Sequence, residues 1–140
     1  PPLAGDSFSD GYFRGLAQRE LRIQCCADCA SLQHPPRPIC RRCTSLSLTF
    51  RRLSGRGVLI DASDVFETHD PFADIELTFR RAVIQLDEQE GLQLLAKLVV
   101  AERSRVHIGA AVAADYLPCS SGEWALVFRL TSDAVARQIL

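Results

Sequence analysis

Cys25-Cys26-Ala27-Asp28-Cys29, then Cys40-Arg41-Arg42-Cys43, is the stretch on which the reading of this chain turns. Pairing Cys26 with Cys29 and Cys40 with Cys43 gives two Cys-x-x-Cys knuckles with ten residues between them. Two cysteines three apart on a tight turn aim both thiolates at one point, and two such turns supply the four soft ligands of a tetrahedral zinc. Doubled Cys-x-x-Cys is among the more specific signals a sequence carries. Two other readings stand beside it: a disulfide framework, which needs an oxidising compartment that nothing here marks, and a redox pair, which lacks a surrounding strand–helix pattern. A closed four-Cys shell leaves no open position, so the expected zinc is structural. Cys25 is a fifth thiol that could replace Cys26, although the spacing favours Cys26, and His34 is an alternative ligand. Between the knuckles, His34-Pro35-Pro36-Arg37-Pro38 is forced into an extended run. That run reads equally as a stiffener of the loop and as a rigid mount for Arg37.

Outward from this stretch the chain changes character. It has 140 residues, 47% hydrophobic and 24% charged, enough for a packed core and incompatible with disorder as the main state. The net charge is −1, which weakens a nucleic-acid reading. The sum conceals nine arginines against four acids in residues 1–60, and seven basic residues against thirteen acids in 61–140. Opposite charge in the two halves, with the cysteines crowded into one, predicts two modules. No apolar run approaches the ~20 residues of a membrane span, and no signal peptide opens the chain, which predicts a cytoplasmic protein without membrane contact. The chain opens on Pro1 and contains no methionine, which predicts a trimmed or excised piece.

Residues 7–20 read as a helix, with Phe8, Tyr12, Phe13, Leu16 and Leu21 at helical spacing and Ser7 or Ser9 as the cap. Gly11 and Gly15 count against it. Its aromatic stripe either packs on its own ribbon or docks on a partner. After Cys43 the period becomes two: Leu46, Leu48 and Phe50 alternate with polar residues. Ser54-Gly55-Arg56-Gly57 is a break, and 58–66 is extended. An acidic loop over 61–76 follows, then a strand at 82–86 and a turn at 87–91. Leu92, Leu94, Ala96, Leu98 and Val100 share one face. Ile108 to Tyr116 and Trp124 to Leu130 alternate again, and Ser132 caps a short final helix. Five or six strands in about 95 residues suit a small barrel or sandwich.

The assembled residues resemble an acyl-CoA-associated family that joins an N-terminal rubredoxin-like zinc ribbon to a C-terminal OB-fold. The likeness rests on Tyr12-Phe13-Arg14-Gly15-Leu16, Leu21-Arg22-Ile23-Gln24, the first knuckle, Pro35-Pro36-Arg37-Pro38-Ile39-Cys40-Arg41-Arg42-Cys43 and Ser54-Gly55-Arg56-Gly57. It continues through Val83-Ile84-Gln85-Leu86-Asp87-Glu88, Ile108-Gly109 and Val127-Phe128-Arg129. It implies a mainly β chain: an N-terminal helical segment over 1–22, a zinc ribbon over 23–47, and an OB-fold barrel with a short C-terminal helix over 48–140. It also implies an accessory subunit, not catalytic alone, required by a thiolase-superfamily enzyme that makes or breaks carbon–carbon bonds or transfers acyl groups. Steroid side-chain retro-aldol cleavage is one such reaction. Ala30 and Thr44 stand where the family's knuckles use glycine at positive φ.

The chain's own inventory supports no independent active site. His34, His69 and His107 lie in three segments. Cys119 follows Pro118 in a loop without a visible base, and Asp87, Glu88 and Glu90 bracket a turn. The expected sites are therefore Cys26, Cys29, Cys40 and Cys43 for zinc. Arg37, Arg41, Arg42, Arg56, Tyr12 and Phe13 are expected to meet a partner or the phosphates of CoA or an acyl-CoA shared with it. Each arginine reads equally as a solvated surface charge. The alternative function is a zinc-ribbon/OB nucleic-acid-binding module, which would need a basic groove and exposed aromatics.

Overall fold

The computed structural model describes residues 9–70, 75–101 and 105–131. The final helix from Ser132, the cap at Ser7, and Phe72 and Asp74 of the acidic segment lie outside them. The chain divides into two compact units, Pro1–Ser54 and Gly55–Leu140. No helix among the described residues is long and apolar enough to cross a membrane.

In the first unit, helix α1 (Asp10–Ala17) is followed by strands β1 (Arg22–Cys26), β2 (Leu32–Gln33) and β3 (Leu48–Arg52). They form an antiparallel sheet in the order β2-β1-β3. The helix is shorter than its apolar spacing predicts. Arg19 enters the left-handed region at φ 58°. The Arg19 N–H then bonds the Leu16 carbonyl and the Glu20 N–H the Gly15 carbonyl, the paired closure that ends a helix. Ser9 sits at the N-cap without a side-chain cap bond. The glycines that argue against a helix are what let it pack. A Cβ on Gly11 would lie 2.2 Å from the Phe50 ring, and one on Gly15 2.8 Å from Arg22 Cγ. Leu21, Ile23, Leu32 and Leu53 fill the small core.

The alternation over 46–51 predicts a strand and the resemblance opens the barrel at residue 48, but Leu48–Arg52 pairs with β1 in register Cys26↔Leu48 to Arg22↔Arg52. The ribbon thus keeps a strand that the resemblance assigns to the barrel, because a period of two names a strand and not its neighbour. Leu46 falls outside it and is exposed.

The second unit holds β4 (Arg56–Ala62), β5 (Glu67–Asp70), β6 (Ile75–Leu86), β7 (Gln93–Val99), β8 (Ala111–Pro118) and β9 (Trp124–Leu130). The sheet runs β4-β8-β9-β7-β6-β5, and a β4–β6 pairing closes five strands into a ring. The ring's one parallel contact among the described residues is β7–β9. It matches the five-strand count of an OB barrel. Gly57 occupies the seam, paired with Leu86 and with Val112. A Cβ there would lie 2.3 Å from the Gln85 carbonyl oxygen, so only glycine lets the two backbones approach. Leu59, Phe79, Ile84, Leu98, Val112 and Phe128 form the interior.

Two further expectations change. The segment 61–76 is not one loop: Asp61 belongs to β4, and Glu67–Asp70 pairs with the first half of β6. Two of its acids are matched from that strand, Asp64 by Arg80 at 3.3 Å and Glu67 by Arg81 at 2.9 Å. Arg80 also covers the Phe66 ring. Ile108 precedes β8 in a turn and is exposed, instead of opening that strand's buried face. The face Leu92, Leu94, Leu98, Val100 is buried as the spacing predicts.

Candidate metal centre

β1 ends in the first knuckle, and the run that leaves β2 delivers the second. The two are built alike. Cys26 N–H bonds the Ser31 carbonyl and Ala30 N–H the Cys26 carbonyl, each at 2.9 Å; fourteen residues on, Cys40 N–H bonds Ser45 O at 2.9 Å and Thr44 N–H bonds Cys40 O at 3.0 Å. Ala30 and Thr44 take φ of 63° and 64°. The turns therefore need the left-handed residue that glycine usually supplies. Ala27 N–H bonds Ser47 O, and the Ser45 hydroxyl donates to Asp28, which ties the second knuckle to the first.

The sulfurs of Cys26, Cys29, Cys40 and Cys43 all lie within 4.8 Å of one another. Cys26–Cys43 and Cys29–Cys40 are 3.5 and 3.6 Å apart. Disulfide sulfurs sit about 2.0 Å apart, and all six cysteines are free. Four sulfurs about 2.3 Å from a tetrahedral zinc stand about 3.8 Å from each other, so the quartet is close to the size of that shell.

The backbone prepares two of the thiols. Cys29 N–H points at Cys26 Sγ, 3.5 Å away, and Arg42 N–H at Cys40 Sγ, 3.4 Å away. The amides of Cys43 and Arg42 hold the Cys40 thiol down at about 6, against burial. Cys26 is lowered likewise, first by the Cys29 amide. Cys43 accepts the Ser45 amide, yet the neighbouring Cys26 thiol, burial and the other two cysteines push it up to about 12. Cys29 is also raised: the Ser31 amide favours its thiolate, but burial and Cys40 outweigh it. Four thiolates without a cation repel one another, and a divalent cation removes that penalty.

Cys25 lies outside the quartet, with its thiol 3.7 Å from the carbonyls of Cys26 and Ala30. His34 also lies outside it. Its ring tilts against Tyr12 with centroids 5.0 Å apart, its Nδ1 is buried without a partner, and burial lowers its pKa.

Residues 13–49 match the family model of the ChsH2 rubredoxin-like zinc ribbon domain. Over these residues the chain is similar to the ChsH2 zinc ribbon. Beyond the ChsH2-type ribbon, the whole chain is similar to a solved structure described as the Ltp2-ChsH2(DUF35) aldolase, 29% identical at a TM-score of 0.76, covering 94% of this chain and 99% of that one. A Sulfolobus solfataricus protein of the DUF35 family, of unknown function, shares the fold at 20% identity and TM-score 0.55, with 86% and 83% covered. Two curated relatives match. One is a probable enoyl-CoA hydratase alpha subunit of Thermomonospora curvata, 32% identical over 84% of this chain. The other is the 3-oxo-4,17-pregnadiene-20-carboxyl-CoA hydratase alpha subunit of Mycobacterium tuberculosis, 34% identical over 76%. The chain spans about a third of their length, 36% and 32%.

The other predicted residues divide between the two units. Arg37, Arg41 and Arg42 are exposed, and among the described residues no carboxylate pairs with their guanidiniums. Tyr12 is half-buried and meets Phe13 edge-on at 5.2 Å, while Phe13 stays 36% exposed. The stripe thus divides between the ribbon and the surface. Arg56 opens β4 in the second unit. Cys119 sits in the β8–β9 turn, its N–H bonded to Glu123 O, and residues 87–91 form the β6–β7 turn. What the sequence reading overlooks is Gln24 and Gln33. They are the two buried polar side chains among the described residues, and nothing along the chain shows that Gln24, though it falls in a stretch that carries the resemblance, meets Gln33 across a ladder.

Proposed function

We propose that this chain is a non-catalytic accessory subunit, or accessory domain, of a thiolase-like acyl-CoA enzyme. The observation that carries this reading is the likeness to the Ltp2-ChsH2(DUF35) aldolase over nearly the full length of both chains. The names of the two hydratase alpha subunits add support for a hetero-oligomer acting on CoA thioesters. In this reading Cys26, Cys29, Cys40 and Cys43 hold one zinc. With all four positions filled by thiolates, the metal supplies folding energy and no Lewis-acid chemistry. Reduced thiols call for a reducing compartment, the cytoplasm.

Arg37, Arg41 and Arg42, with Tyr12 and Phe13, are the residues of the first unit offered to the partner or to the phosphates of its CoA ligand, and Arg56 is the candidate of the second unit. The exposed guanidiniums of Arg37, Arg41 and Arg42, which no carboxylate among the described residues meets, suit either role. The reaction proposed for the complex is carbon–carbon cleavage of the retro-aldol kind, with the chemistry on the partner. The nucleic-acid alternative is weaker, because Phe79 and Phe128, which could stack bases, are spent in the barrel core.

The test is co-expression with a thiolase-like chain encoded beside it. We expect one complex on size exclusion, acyl-CoA cleavage by the complex, and none by either chain alone. Turnover by the isolated chain, or a lasting failure to associate, would remove the reading. Metal analysis should return about one zinc per chain.

A further inference from the structure

Gln24 and Gln33 face each other across the β1–β2 ladder and are 1% and 6% exposed. Gln33 Nε2 donates to Gln24 Oε1 at 2.7 Å and to the Ile39 carbonyl at 3.1 Å. Gln33 Oε1 accepts the N–H of Arg41, inside the second knuckle, at 2.9 Å. Gln24 clamps Arg37 on both sides: Oε1 accepts its N–H at 2.8 Å, and Nε2 donates to its carbonyl at 2.7 Å. Every amide oxygen and nitrogen of the pair is used.

The reason lies in the loop. Pro35, Pro36 and Pro38 carry no N–H, and an extended proline run makes no internal hydrogen bonds. Within 35–38 the one amide hydrogen is that of Arg37, and it goes to Gln24. The loop cannot hold its own shape, so the sheet holds it through two side chains. Gln33, bonded to Gln24, also reaches the Arg41 amide, next to the Arg42 amide that points at Cys40 Sγ.

We propose that Gln24 and Gln33 are positioning residues for the metal centre, and that they couple the second knuckle to the 34–39 loop so that both move as one body. The presentation of Arg37 is then linked to the state of the cysteine site. This rests on the zinc reading above and goes beyond it. An apolar pair of the same shape would leave the amides of Arg37 and Arg41 without these acceptors, so the glutamines fix where the loop and the knuckle sit.

The experiment uses the full chain, zinc-loaded, with Gln33→Met, Gln24→Met and the control Ile23→Val. The control alters an equally buried residue of β1 that makes no bond to the loop. Zinc affinity is read by chelator competition, and amide exchange at Arg37 and Arg41 by NMR. We expect Gln33→Met to weaken zinc by about 10-fold or more. It should also speed exchange at Arg37, which Gln33 does not touch. The control should leave both unchanged. Wild-type zinc affinity in Gln33→Met, or unchanged exchange at Arg37, would overturn the coupling. If Gln33→Met does not fold, Gln24→Met decides. It leaves the bond from Arg41 to Gln33 in place, so weakened zinc supports the coupling and wild-type affinity overturns it. A wild-type chain that takes up no zinc would instead bring down the zinc reading, and the coupling with it.

Discussion

Ala30 and Thr44 each hold the left-handed conformation one position past the second cysteine of a knuckle. A side chain there costs about 1–2 kcal/mol relative to the right-handed region, a cost glycine avoids. Ala30→Gly and Thr44→Gly should therefore each raise stability by about 1 kcal/mol, read as a higher urea midpoint in the zinc-loaded chain. A fall at both positions would mean that the Ala and Thr side chains make contacts worth more than the strain. His34 carries a pH dependence. Burial holds its folded pKa below the ordinary 6.5. As pH falls through 6.5 the unfolded chain takes up the proton first, so stability is present above that value and is lost through the folded pKa. Thiolate protonation acts in the same direction, so the comparison must be made against His34→Phe, which keeps a ring against Tyr12. The variant should lose less stability than the wild type between pH 7 and 5, and identical slopes would exclude His34 as the source.

At the scale of the element, α1 shows packing overruling propensity. Alanine at position 11 would favour an isolated helix by about 1 kcal/mol. In the folded chain its Cβ would lie 2.2 Å from the Phe50 ring. Gly11→Ala is expected to destabilise the chain by about 1–3 kcal/mol, the usual cost of overpacking, measured by chemical denaturation. A stabilising result would show that α1 is not seated on β3. Gly11 explains why helical spacing was legible while the reason for the glycine was not: its partner, Phe50, is about forty positions away in sequence. The acidic segment misleads in a related way. Asp64 and Glu67 look unmatched when read along the chain, because Arg80 and Arg81 meet them from the neighbouring strand.

At the scale of the whole molecule, the two units draw on different sources of stability. The barrel buries a continuous apolar interior. The ribbon has a few buried aliphatics and its cysteine quartet, a common dependence of small metal domains. Chelation of zinc under reducing conditions should therefore release the amides of β1 and β2 to exchange while those of β6 and β7 stay protected. Hydrogen exchange reports both in one measurement. Equal loss of protection in both units would show that the barrel also depends on the metal.

The sequence by itself determined the cysteine quartet, the mainly β character and the buried face from Leu92 to Val100. All of these are local, set by spacing along one backbone or by alternation within one strand. Tertiary structure alone decided that Leu48–Arg52 joins the ribbon, that Glu67–Asp70 forms a strand, that β4 and β6 close the ring, and that Gln24 and Gln33 anchor a proline loop without hydrogen bonds of its own. Each of those depends on which distant backbone or side chain arrives opposite, and a periodicity read along the chain names the face a residue shows but not the partner it meets.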